Sequence, residues 1–141
     1  MRFVCDAAGG KAWFRIETEA EAMRESELMR HAVEKHFRRA QEQASQAYRP
    51  TPGPFVEQDI GRAAHIRRAM PVFLTLRDED GDPLATAMLP PAGRFDPGCN
   101  PMVVGPGNSD PYPEHGEAIR VLGRHFGIAL DRSRCYPYGR L

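Results

Sequence analysis

Residues 2–5 and 12–16 are two short apolar-rich runs separated by Ala7-Ala8-Gly9-Gly10. Trp13, Phe14 and Ile16 are bulky and β-prone, so the pair predicts a strand hairpin. The period then changes. From Glu19 to Ala47 no glycine or proline interrupts the chain for 29 residues, and good helix formers dominate. Ala22, Met29, Val33, Phe37, Ala40, Ala44 and Ala47 recur by sevens, fours and threes, which puts them on one helical stripe. Thr18 followed by Glu21 is a capping-box pair. Glu19, Glu21, Glu25 and Glu27 lead while Arg38 and Arg39 come late, the order a helix dipole favours. Together these features predict one helix over 19–47.

That length has a consequence. Such a helix measures about 43 Å, whereas a compact chain of this size is about 37 Å across. The helix must kink, end early or pack against another chain. Its Ala-rich end is narrow enough for close helix approach, so a homodimer through residues 19–47 is expected.

Residues 49–54 read as a stiff, extended connector. Phe55 to Ile60 reads as a strand, and Ala63, Ile66 and Met70 suggest a short helix over 61–69, stopped by Pro71. Runs 72–77 and 84–89 flank a turn containing Asp80-Gly81, a hairpin signal. Residues 90–113 hold seven prolines and four glycines around Met102-Val103-Val104, and loops this long are usually functional or disordered. A second helix follows from about 114 to 126, with Ala118, Ile119, Leu122 and Phe126 as its stripe. Gly127 is its left-handed cap, with Ile128 closing over it. Ile128 to Asp131 suggests a last strand, and the 135–141 tail is expected to dock on the body.

The class is α+β: an antiparallel sheet of about five strands, with one long N-terminal helix and one C-terminal helix packed against it. One domain over 1–141 is expected, comprising hairpin and long helix (1–48), connector (49–54), and sheet, loop and second helix (55–141).

Composition sharpens this division. All 13 prolines lie at or after Pro50, and only Gly9 and Gly10 of the 13 glycines precede it. The 19 basic and 19 acidic residues balance, which argues against bulk phosphate-driven binding to nucleic acid. All basic residues except Lys11 and Lys35 are arginine, a bias that GC-rich coding produces and that suggests a bacterial source. No apolar run reaches the about 20 residues of a membrane span, and Asp6 interrupts the place of a signal-peptide core. Cys5, Cys99 and Cys135 form no CxxC pair, which suits free thiols in a reducing, cytoplasmic setting.

Candidate chemistry is sparse. His31 and His36 are five apart; on one helix their rings diverge by roughly 140°, too far to share a metal. The 78–82 acidic run fails the calcium-loop pattern, because Pro83 and Leu89 stand where glycine and glutamate are needed. The 105–115 stretch resembles an anion-binding helix start, but Pro106, Pro111 and Pro113 remove donors and Asp110 and Glu114 repel anions. Asp110 instead suits a helix cap with Pro111 behind it. His115 beside Asp110 and Glu114 is the place where an oriented imidazole is expected; Cys99, Cys135 or Ser109 would be its nucleophile. The basic clusters at 62–68 and 120–125 lack interleaved aromatics, so nucleic-acid binding is not expected.

Two functions follow. With no complete catalytic constellation and no cofactor motif, the first is a non-enzymatic binding or regulatory module that dimerises through its long helix. The alternative is a small enzyme or ligand-binding protein using the 90–115 loop. Asn108, Asp110 and His115 are then the ligand-binding residues, and a small molecule sits near 105–115.

Overall fold

The computed structural model describes residues 1–50 and 52–139, with backbone alone at 56 and 57. Thr51 of the connector and residues 140 and 141 of the tail lie outside the described residues. Strands β1 (Arg2–Ala7) and β2 (Lys11–Ile16) form the expected N-terminal hairpin. Helices α1 (Glu19–Met29), α2 (Val33–Ala47) and α3 (Phe55–Ala69) follow, then β3 (Val72–Arg77), β4 (Pro83–Leu89), β5 (Met102–Val104) and helix α4 (Tyr112–Phe126). The five strands lie in chain order, each antiparallel to the next.

Strand alternation divides the core between the two sheet faces. On one face Trp13, Val72, Leu74, Leu76, Ala85, Ala87, Leu89 and Val103 pack against Ala118, Ile119 and Leu122 of α4. Trp13 is fully buried, and its Nε1–H donates to the Ala118 carbonyl at 2.9 Å, which satisfies the indole's one donor. On the other face Ile16 and Phe73 pack against Ala22, Val33, Phe37 and Ala44. Phe37 and Phe73 meet with ring centroids 5.1 Å apart. Each such fully buried side chain contributes roughly 1.5–3 kcal/mol. The antiparallel sheet thus carries helices on both faces, where the sequence reading placed the two expected helices on one.

The single long helix is the main correction. The chain breaks after Met29: Arg30 adopts the left-handed conformation (φ 56°, ψ 51°), and its N–H donates to the Ser26 carbonyl. Helix α2 restarts at Val33, and Ser26 Oγ accepts the Glu34 N–H at 3.0 Å. A side chain of α1 therefore caps α2. Helix α2 then turns back on α1, where Arg38 Nε lies 2.6 Å from Glu19 Oε1. The expected stripe survives the break: Ala22, Met29, Val33, Phe37 and Ala44 are buried and Ala40 half-buried, while Ala47 is exposed. The 29-residue rod is replaced by helices of 11 and 15 residues, so the reasoning from length to a dimer through 19–47 loses its premise.

Three smaller corrections follow. Residues 55–60 are the first turns of α3, not a strand. The fifth strand is the Met102–Val104 run inside the Pro-rich loop. Ile128 to Asp131 forms no strand; Ile128 and Leu130 are buried against α4 while Ala129 and Asp131 stay exposed. The Thr18–Glu21 capping box, the Gly127 cap (φ 72°) and the Ile128 N–H bond to the Gly123 carbonyl are present as read from the sequence. The described part of the tail docks: Cys135 is fully buried, and the Tyr136 N–H donates to the Pro101 carbonyl at 2.9 Å.

Among the described residues, no helix is long and apolar enough to cross a membrane.

Candidate functional site

The break between α1 and α2 builds a site. It swings His31 onto the inner sheet face, where its Nε2 lies 2.8 Å from Thr86 Oγ1. The Thr86 hydroxyl donates to Glu25 Oε2 at 2.6 Å, and Glu25 Oε1 accepts from Arg77 at 2.7 Å. Arg77 Nε also donates to Thr75 Oγ1 at 3.0 Å. Glu25 is fully buried. A buried carboxylate without partners is very costly; here both oxygens are occupied. A continuous network therefore runs from Arg77 through Glu25 and Thr86 to His31.

The network assigns the imidazole tautomer. Because the Thr86 proton goes to Glu25, Thr86 Oγ1 accepts from a protonated His31 Nε2. His31 Nδ1 is then an acceptor, and it faces the Val33 N–H at 3.4 Å. Burial pushes the His31 pKa below its ordinary value; Glu25 pulls it back up and His36 pushes it further down. The ring is thus neutral and held at both nitrogens.

His31 lines a cavity of about 330 Å³. Its other walls come from the start of α2 (Val33, His36), from β4 and β5 (Met88, Met102, Val104), from Asn108, and from Tyr136 of the tail. His31 and His36 share this cavity because no continuous helix separates them, which removes the 140° divergence expected for a helical pair. Among the described residues, the one cluster of three or more acidic, His or Cys ligand atoms is Asp78, Asp80 and Asp82 in the β3–β4 turn, not here. There Asp78 Oδ1 already accepts the Asp80 and Asp82 N–H groups at 2.9 Å.

The residues expected to bind a ligand have different surroundings. Asn108 lines the cavity from a left-handed position (φ 62°) that asparagine tolerates. Asp110 accepts the Tyr112 N–H at 3.0 Å and pairs with Arg132 Nε at 2.8 Å, so it serves the start of α4. His115 lies elsewhere: Lys11 Nζ donates to its Nδ1 at 3.2 Å, and Glu114 stands 3.8 Å from its Nε2. Burial and Lys11 push the His115 pKa down and Glu114 raises it.

No thiol is poised as a nucleophile. Burial pushes the Cys5, Cys99 and Cys135 pKa values up; Asp6, Asp96 and Asp131 respectively add to this, while a Tyr112 hydrogen bond partly offsets it at Cys135. Reactive cysteines need the opposite environment. The basic cluster on α4 is partly offset, since Glu117 pairs with both Arg120 at 2.9 Å and Arg124 at 3.6 Å.

Sequence reading missed Glu25, Thr86, Met88 and Tyr136. Glu25 and Thr86 are 61 residues apart, and each has an ordinary helix or strand context. The available signal was the His31/His36 pair, set aside on the assumption of one unbroken helix.

The fold and cavity define an α+β protein with helical layers on both sheet faces and a mostly apolar cavity at the β5 side. Comparison with protein-family models, curated proteins and solved structures returns no match.

Proposed function

We propose that this chain is a non-enzymatic binding module for a small, neutral, largely planar molecule held in the His31–Asn108 cavity. One observation carries the reading. Three distant segments, the α1–α2 turn, residues 102–108 and the Tyr136 region, converge on a cavity whose floor is tied to a buried ionic network. Such second-layer bonding holds a binding surface rigid.

The wall chemistry selects the ligand. Met88 and Met102 thioethers and the exposed Tyr136 ring suit an aromatic face. Asn108 offers one amide donor–acceptor set at the rim. Anions are disfavoured, because the first amides of α2 are already used: Val33 N–H by His31 Nδ1 and Glu34 N–H by Ser26 Oγ. The reading draws on the loop alternative for Asn108 and leaves His115 outside the site. It needs no dimer through 19–47, since α1 supplies the partner for α2.

Benzamide, which joins a ring to an amide, is the test probe. Titration followed by two-dimensional amide NMR should shift His31, Thr86, Met102 and Asn108 saturably. Met102→Trp, which fills the cavity, should remove these shifts while leaving the folded spectrum. Shifts scattered over the surface, absent at saturating millimolar probe, or unchanged in Met102→Trp would sink the reading.

A further inference from the structure

A second cavity, of about 490 Å³, opens on the same face of the sheet at the end of β2. Ile16, Phe37, Ile66 and Met70 form its apolar wall, and Arg15 and Arg67 line its mouth. Among the described residues, these two arginines belong to a minority, with Arg30, Arg39, Arg68 and Arg94, that have no ion pair or side-chain hydrogen bond. Arg24, Arg38, Arg77, Arg120, Arg124, Arg132 and Arg134 each face a carboxylate within 4.0 Å. Arg15 is half-buried and Arg67 exposed, and their unpaired guanidinium donors are open to solvent, so both forks are free to receive an anion. Glu17 also lines this cavity and sits 3.8 Å from Arg2. Burial lowers the Arg15 pKa, Glu17 raises it, and Arg2 and Arg67 lower it further, so an added anion here relieves repulsion.

We infer that this cavity binds a small free carboxylate carrying an apolar body, with the carboxylate on the Arg15 and Arg67 guanidinium groups and the body against Ile16, Phe37, Ile66 and Met70. The planar carboxylate matches the guanidinium fork, and the wall removes the tail from water. Glu17 disfavours a more highly charged head. The inference is independent of the His31 cavity, because the two sites share no lining residue.

Calorimetry with the full chain tests it, using decanoate below its micelle concentration, decanol as the neutral tail and acetate as the bare head. Decanoate should bind once per chain. Decanol and acetate should each bind at least about tenfold more weakly, as should Arg15→Gln with decanoate, because a charge-assisted bond is lost. Ala63→Trp, placed at an exposed position on the cavity wall, should abolish decanoate binding without touching either arginine. It also decides the matter if Arg15→Gln fails to fold. Decanol binding as tightly as decanoate, wild-type affinity in Ala63→Trp or Arg15→Gln, or no saturable decanoate binding overturns the inference. Met102→Trp should leave decanoate affinity unchanged, which separates this outcome from the benzamide test.

Discussion

His31 shows how much one side chain's role depends on what folds around it. In the chain it stands between the stripe residues Met29 and Val33, five residues from His36. In the fold it is half-buried, neutral and bonded to Thr86. Its pKa lies below the ordinary 6.5 because burial penalises the charged ring. The unfolded chain therefore takes up the proton at higher pH than the folded one. The stability from neutral His31 is complete above about pH 6.5 and is lost as pH falls toward the lower folded value. His115 shifts in the same direction, so it adds to the acid limb. Urea unfolding at pH 7.5, 6.0 and 5.0 should show stability falling with acid, and His31→Gln should make that fall shallower by removing one of the two contributions. An identical slope in the variant would show that His31 titrates as it does in the unfolded chain.

At the level of elements, local rules hold wherever the signal and its structure lie within a few residues. The Thr18 capping box, the Asp80-Gly81 turn, the Gly127 cap and the α4 stripe are all of this kind. The break after Met29 is not. No glycine marks it, and its cap, Ser26, serves Glu34 from eight residues upstream. Non-glycine left-handed backbone costs about 1–2 kcal/mol, so the break persists because packing favours it: folding back lets Val33 and Phe37 join Ala22 and Phe73 in one cluster. Arg30→Gly should therefore stabilise the fold, by about 1 kcal/mol, in denaturant unfolding. A loss of stability would mean that the Arg30 side chain contributes more than its backbone strain costs. The 55–60 misreading has a related cause: Phe55 and Ile60 are 85% and 65% exposed, so their apolar character reports no buried strand face.

Across the whole molecule, the Glu25 network joins the helical layer to the middle of the sheet. Glu25 comes from α1, Arg77 from β3 and Thr86 from β4. Removing one member of a buried ion pair leaves the other unpaired, at a cost of about 3–5 kcal/mol. Glu25→Ala should lower the unfolding free energy by about that amount, and it should weaken benzamide binding because Thr86 and His31 lose their anchor. Denaturant titration beside the NMR titration measures both. An effect below about 1 kcal/mol, the range of exposed pairs, would show that the network does not couple the layers.

Sequence alone determined the antiparallel α+β class, both hairpins, the caps at Thr18 and Gly127, and the stripe that becomes the core. These depend on period and on backbone preference, which act over a few residues. Only the tertiary structure decided where the long apolar stripe bends, which strand forms the β5 edge, and which polar residues meet. Pairing Glu25 with Thr86 spans 61 positions, and no local propensity encodes a contact at that distance. Within the Pro-rich loop from 90 to 113, Met102, Val104 and Asn108 meet at the His31 cavity, whereas His115 lies apart beside Lys11.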